Sequence, residues 1–230
     1  MTVGPSAYWY LTRASGTVAL ILLTASVVVG VAAIARLRAP GVPRFVVDGI
    51  HRTVSLLAVA FLVVHILTAV LDSFASISLL DAVFPFVGSY RPLWLGLGTV
   101  AFDLLLAIAL TSVVRDRMDH ATWRGIHWLA YAAWPVAVVH GLGTGSDVHQ
   151  RWMQVITVAC ILAVLVTVAG RAMIGWPEHV RLRVGALALS VVFAGGLALW
   201  VPGGPLGKGW ARRSGTPPAL LGHAAVRGHA

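Results

Sequence analysis

Six long apolar segments restrict the fold of this chain more than any other feature of its sequence. A helix needs about 20 predominantly apolar residues to cross a hydrocarbon core roughly 30 Å thick. We expect membrane spans at Ala14–Ala35, Thr53–Leu71, Pro92–Val114, Gly125–Gly143, Trp152–Gly170 and Val184–Pro202. The sequence therefore predicts an all-α membrane protein, built as a bundle of six transmembrane helices.

The composition agrees with a membrane location. Hydrophobic residues make up 58% of the chain, charged residues make up 11%, and the mean hydropathy is +0.86. Asp103 is the only formal charge inside the six segments. Because a charged side chain at the centre of a membrane helix costs about 2.5 to 3.5 kcal/mol, we expect Asp103 to be protonated or hydrogen-bonded inside the bundle.

The arginines predict the orientation of the chain, because short cytoplasmic loops retain positive charge. Alternate connections place ten arginines on one side of the membrane and three on the other: Arg36, Arg38, Arg44, Arg52, Arg115, Arg117, Arg124, Arg171, Arg181 and Arg183 against Arg13, Arg91 and Arg151. This split predicts a membrane protein with both its N-terminus and its C-terminus on the extracytoplasmic side.

Two regions follow from the composition along the chain. Residues 1–202 form the predicted membrane domain, and residues 203–230 form a Gly-, Pro- and Arg-rich tail that is predicted to be disordered. The net charge of +9 comes from the loops and this tail, which favours attraction to anionic lipid and not nucleic-acid binding. The single cysteine, Cys160, excludes an intrachain disulfide.

Four histidines lie within or beside the second and fourth segments, at a depth where ionisable side chains are costly and usually functional. His51 and His65 are 14 residues apart, and His127 and His140 are 13 apart. At a rise of about 1.5 Å per residue, either spacing covers roughly 20 Å of the membrane. The two segments enter from the same face, so His51 matches His127 in depth and His65 matches His140.

Paired histidines on parallel helices are typical of a haem site. A haem iron held by two imidazoles takes one ligand from each side of its ring, and two flanking helices can supply them. The pattern therefore predicts two stacked haems between the second and fourth helices. One objection is that 13 residues leave a side chain about 140° from the starting face of a straight helix. A kink at Pro135 is a possible remedy.

These motifs resemble the ferric-reductase-like transmembrane domain. Its superfamily includes the membrane portions of NADPH oxidases and ferric reductases, and the haem-binding subunit of a bacterial periplasmic methionine sulfoxide reductase system. The resemblance covers residues 8–172 and rests on Arg13-Ala14-Ser15-Gly16, His51-Arg52, His65, Trp123-Arg124-Gly125-Ile126-His127 and the run from His140 to Asp147. It implies two b-type haems, with axial pairs His51 with His127 and His65 with His140.

The resemblance also implies an oxidoreductase subunit of a bacterial inner membrane that needs a partner. After the fifth helix an oxidase continues into flavin and nicotinamide domains, whereas this chain re-enters the membrane. We expect electrons to arrive from a flavoprotein carrying FMN or FAD, from a flavin bound at the inner loops, or from quinol. The expected acceptor is extracytoplasmic: ferric iron, oxygen or a periplasmic redox protein.

Further side chains are candidates for contact with the haems. Guanidinium groups bind carboxylates bidentately, so Arg13, Arg52 and Arg124 are expected to pair with haem propionates, although anchoring in the headgroup layer is an equal alternative. Trp134 lies between His127 and His140 along the chain. It is a candidate to pack between the two macrocycles, with ordinary core packing as the alternative.

Two other functions are compatible with the sequence. The histidines could bind a metal ion or relay protons in a transporter, which would call for further carboxylates or thiols nearby. The chain could also be a membrane anchor that holds haem for structural reasons alone. Haem without electron transfer would identify the anchor.

Overall fold

The computed structural model describes residues 6–34, 43–174 and 176–225. These residues form helices and turns, with no strand among them. The helices are α1 (Ala7–Ile34), α2 (Arg44–Leu71), α3 (Leu79–Val83), α4 (Pro92–Val113), α5 (His120–His127), α6 (Ala130–Thr144), α7 (Arg151–Met173), α8 (Val180–Gly203), α9 (Trp210–Arg213) and α10 (Pro218–Ala225). A 3-10 turn at Arg115–Arg117 follows α4. The predicted all-α class is confirmed.

Five of these helices, α1, α2, α4, α7 and α8, are long and apolar enough to cross a membrane. The predicted fourth span, Gly125–Gly143, differs from the expectation because it falls on two shorter helices, α5 and α6. Tight turns at Trp128 and Leu129 separate the two helices. The backbone N–H of Leu129 donates to the carbonyl of Ile126 at 2.9 Å, and that of Tyr131 donates to the carbonyl of Trp128 at 3.0 Å.

This break lies between the two histidines with the 13-residue spacing. Pro135, where a kink was predicted, lies inside α6, six to seven residues after the interruption. A bond from residue i+3 to residue i turns the chain more tightly than an α-helical turn does. With the bond from Ala132 N–H to the carbonyl of Leu129, three such bonds lie between His127 and His140, so the two histidines are not on one uninterrupted α-helix.

Helix α1 lies at the centre of the packing. It packs against α2, α6 and α7, while α4 packs on α6 and α7 packs on α8. The buried apolar core consists of Trp134, Val138, Val164 and Leu197, surrounded by partly buried side chains of α1, α6, α7 and α8. Helices α2 and α6 are not packed closely against each other along their backbones. They therefore face each other across the space that their histidines share.

Residues 203–225 differ from the predicted disordered tail. Trp210 donates from Nε1 to the carbonyl of Gly143 at 3.1 Å, and its ring lies 5.1 Å from that of Trp94. The backbone N–H of Arg91 donates to the carbonyl of Gly215, and Pro205 is fully buried. The Gly- and Pro-rich composition predicted disorder because it gave no weight to Trp210. The contacts of this tryptophan hold the segment against the ends of α4 and α6. Residues 226–230 lie outside the described part.

Candidate cofactor site

The four histidines meet as two pairs at two depths. The ring centroids of His51 and His127 are 6.1 Å apart with an interplanar angle of 70°, and those of His65 and His140 are 6.4 Å apart at 82°. Each pair joins α2 to the α5–α6 segment. The pairing therefore agrees with the one that the matched depths predict.

The ring separations fit one metal ion between each pair. A metal–imidazole bond of about 2.0 Å on either side, with roughly 1 Å from each ring nitrogen to its centroid, places the centroids about 6 Å apart. Among the described residues, no group of three or more His, Cys, Asp or Glu side chains converges on one point. Two protein ligands at each site match an iron whose remaining ligands belong to a porphyrin.

Three of the four histidines donate to a backbone carbonyl through Nδ1. His51 bonds to the carbonyl of Ser26 at 3.1 Å, His65 to that of Thr12 at 2.9 Å and His140 to that of Trp94 at 2.8 Å. A carbonyl oxygen only accepts hydrogen bonds, so Nδ1 must carry the hydrogen in each ring. The lone pair is then on Nε2. This is the tautomer of a histidine that binds metal through Nε2 and is oriented through Nδ1.

A glycine lies one helical turn after each of these three carbonyls. A Cβ added to Gly16 would lie 2.8 Å from Nδ1 of His65, one at Gly30 would lie 3.2 Å from Cε1 of His51, and one at Gly98 would lie 2.4 Å from Cε1 of His140. The missing side chains let the imidazoles approach the helix backbone. Thr12 and Ser26 are 14 residues apart, as are Gly16 and Gly30, and this spacing equals that of His51 and His65.

These acceptors and glycines were not predicted from the sequence. Their signal was present in α1 as a hydroxyl residue followed four positions later by glycine, repeated after 14 residues. The repeat is recognisable only once α1 is known to lie antiparallel against α2.

The fourth histidine has a different environment. Nδ1 of His127 is buried and has no hydrogen-bond partner among the described residues, and the same holds for Nε1 of Trp123. The two rings stack, with centroids 5.0 Å apart and an interplanar angle of 27°. Asp119 caps α5 by accepting from the backbone N–H groups of Thr122 and Ala121, and these bonds lower the pKa of its carboxyl. The cap fixes the start of the helix that carries His127.

Three of the four histidines lie within a match to a known protein family. The chain matches the family described as the ferric reductase like transmembrane component over residues 15–138. The chain belongs to this family. The match contains His51, His65 and His127 and ends two residues before His140. No curated protein and no solved structure matches the chain.

In this ferric-reductase-like chain, the predicted arginines occupy different surroundings. Arg52 and Arg124 are exposed beside His51 and His127, and neither side chain has a hydrogen bond or ion pair within the described ranges. Arg13 forms an ion pair with Asp147, and its guanidinium lies 3.8 Å from the ring centroid of Trp9. A carboxylate of the protein itself therefore already neutralises Arg13.

Trp134 lies in the apolar core. It is 3% exposed, donates from Nε1 to the hydroxyl of Thr24 at 2.9 Å, and lies 5.9 Å from the ring of Phe193 on α8. Its neighbours come from α1, α7 and α8. This placement corresponds to the alternative of core packing.

Asp103 differs from the expectation of a bond inside the bundle. Its side chain is exposed at the middle of α4, and it has no hydrogen bond or ion pair in the described part of the chain. Arg91 is 9% exposed and donates from Nη1 to the carbonyls of Gly143 and Thr144. Arg91 therefore fastens the end of α6.

Proposed function

We propose that this chain carries electrons across a bacterial inner membrane through two b-type haems. The observation that carries the proposal is the meeting of His51 with His127 and of His65 with His140, at centroid distances that suit one iron each. Membership of the ferric-reductase-like family supports it independently. The haems supply one-electron redox chemistry.

The protein residues hold and orient the haems in this proposal. Nε2 of each histidine would bind a haem iron, and the carbonyls of Thr12, Ser26 and Trp94 fix three of the four rings. Arg52 and Arg124 are free to pair with propionates of the inner haem. For Arg13, a propionate would have to share the guanidinium with Asp147. The surrounding apolar helices exclude water from both sites.

We further propose that α5 and α6 together make a fourth crossing, which gives six in all. Together they extend from His120 to Thr144, a length comparable with the other spans. Six crossings place both termini on one side, and the arginine distribution makes that side extracytoplasmic. His51 and His127 then lie at the inner face, and His65 and His140 lie at the outer face.

In this arrangement, electrons enter at the inner face from a flavoprotein or quinol and leave to an extracytoplasmic acceptor. The chain acts as the haem-containing membrane subunit of an oxidoreductase, with lipid and redox proteins as its partners. Among the described residues no third His, Cys, Asp or Glu side chain joins either pair, whereas a transported metal ion would call for further carboxylate or thiolate ligands, and this favours the haem role over metal transport.

Electron transfer can be tested in proteoliposomes loaded with ferricyanide. Dithionite added outside should bleach the internal ferricyanide when the haem-loaded protein is present, and vesicles without protein should remain coloured. The double variant His65→Ala/His140→Ala breaks the outer site and should lose most of the rate. Bleaching at the rate of empty vesicles by a protein that contains both haems would overturn the proposal in favour of a structural anchor.

A further inference from the structure

The chain beyond α8 lies against the end of the bundle that contains His140. Trp210 on α9 donates from Nε1 to the carbonyl of Gly143 at 3.1 Å, and Gly143 follows His140 by three residues on α6. The Trp210 ring lies 5.1 Å from the ring of Trp94 on α4, at an interplanar angle of 54°. The C-terminal segment, residues 204–216, therefore contacts both helices that meet at His140.

Arg91 fastens the C-terminal segment to the same two helices. This residue immediately precedes α4, and its backbone N–H donates to the carbonyl of Gly215 at 3.0 Å. Its Nε donates to the hydroxyl of Thr216 at 2.9 Å, and its Nη1 donates to the carbonyls of Gly143 and Thr144 at 3.0 and 3.1 Å. Its φ of 42° lies in the left-handed region, which a residue with a side chain keeps only where its surroundings hold it. One arginine thus joins the segment, the start of α4 and the end of α6.

The orientation of His140 depends on the place where these contacts converge. Nδ1 of His140 donates to the carbonyl of Trp94 at 2.8 Å. The Trp94 ring lies directly against the backbone of Gly143, because a Cβ added to Gly143 would lie 2.4 Å from it. Arg91 and Trp210 both donate to the carbonyl of Gly143. These bonds fix how the start of α4 is seated on the end of α6, and this seating places the Trp94 carbonyl on the imidazole.

We propose that the C-terminal segment positions His140 and thereby lowers the redox potential of the outer haem. A hydrogen bond from Nδ1 to an acceptor makes an imidazole a more basic ligand. A more basic ligand stabilises ferric iron, which has the higher charge, more than it stabilises ferrous iron. Loosening the bond from His140 to the Trp94 carbonyl therefore raises the potential. The inference rests on the proposed function, because His140 must be a haem ligand for the potential to respond.

A redox titration of the full-length, haem-loaded protein, followed by absorption, can measure each haem separately. His51→Ala should retain only the outer haem, and His65→Ala should retain only the inner one. Each further substitution is made in both of these backgrounds. A role that acts through His140 should change the titration in the first background and leave that in the second unchanged. Thermal unfolding of each protein records any separate loss of stability.

Two substitutions weaken the contacts of the C-terminal segment. Trp210→Phe keeps a flat ring beside Trp94 but removes the N–H that bonds to Gly143, and Arg91→Gln disrupts three side-chain hydrogen bonds. Both should raise the potential of the outer haem, Arg91→Gln by more. Since outer ligand-supporting bonds change metal affinity about tenfold or more, we expect a shift of roughly 59 mV for this one-electron couple in Arg91→Gln. Arg212→Gln, an exposed arginine of the same segment, is the matched control.

The outcomes separate this inference from the proposed function. A wild-type protein without haem would refute both. An unchanged outer potential in Trp210→Phe and Arg91→Gln would refute the positioning role while the haem assignment stands, and so would an equal shift in Arg212→Gln or of the inner haem. If either substitution abolishes binding of the outer haem, Thr216→Val decides by the same titration, because it removes only the bond from Nε of Arg91. A raised outer potential in Thr216→Val supports the role, and an unchanged one refutes it.

Discussion

The proposed haem sites depend on how each histidine imidazole is held by its neighbours. A histidine fixed through Nδ1 presents Nε2 in one direction, so it loses less freedom when it binds iron. His65 and His140 both have this support, whereas the inner pair has it only at His51. The outer site is therefore the better preorganised of the two within the protein alone.

The first prediction concerns the outer ligands. His65→Ala and His140→Ala should each lower the haem-to-protein ratio from two to one, because both residues ligate the same iron. The double variant should be no worse than either single one. His149→Ala, an exposed histidine, should leave the ratio at two. Additive losses in the double variant would show that the two residues serve different haems.

The second prediction concerns the glycine opposite His140. In Gly98→Ala the new Cβ would lie 2.4 Å from the imidazole, a distance that no packed structure tolerates, so the ring must move away from the carbonyl of Trp94. We expect loss of the outer haem with the inner haem retained, measured by absorption. Gly195→Ala is the control, since nothing lies within 4 Å of a Cβ at that position. Full haem content in Gly98→Ala would argue against close approach at this site.

The sequence predicted the long apolar helices but not the interruption that divides the fourth predicted span into α5 and α6. Long apolar runs have a strong compositional signal, and the structure has helices at all six predicted positions. The turn at Trp128–Leu129 has no glycine or proline to mark it, so it could not be read from the sequence. Pro135, the residue expected to kink the helix, lies inside α6, whereas the turn between the two helices lies six to seven residues before it. The His pairing was predictable from depth, whereas the acceptors on α1 and α4 required knowledge of the faces that meet.

The third prediction concerns the segment after α8. Trp210 packs beside Trp94 and Trp200 and donates to the carbonyl of Gly143. A buried tryptophan replaced by alanine typically costs 3 to 5 kcal/mol, and Trp210 is only partly buried, so we expect about 2 kcal/mol for Trp210→Ala. Thermal unfolding in detergent measures the loss. An equal change in Trp128→Ala, at an exposed position, would indicate that the packing of Trp210 contributes nothing specific.

The direction of electron flow through the protein depends on how the protein is oriented in the membrane. In the proposed orientation, the inner end contains His51 and His127, and the outer end contains His65, His140 and the ion pair of Arg13 with Asp147. The donor and acceptor sides would follow from this orientation. Residues 35–42, with Arg36 and Arg38, lie outside the described part, so the contribution of these two arginines is a prediction from the sequence.

The fourth prediction tests that orientation. An alkaline phosphatase reporter fused after Ala230 should be active, because the C-terminus is expected outside, and one fused at Glu178 should be inactive. Green fluorescent protein fusions at the same positions provide the control with the opposite response. Reversed labelling would exchange the donor and acceptor ends, and an active reporter at both positions would rule out α8 as a crossing.

An absorption spectrum of the purified protein before and after dithionite, with a haem-to-protein ratio, tests whether the two histidine pairs hold two haems. We predict b-type bands that sharpen on reduction and two haems per chain, both lost when His51, His65, His127 and His140 are replaced together. A folded, colourless protein, or one whose haem content is unchanged by the fourfold replacement, would refute the haem assignment.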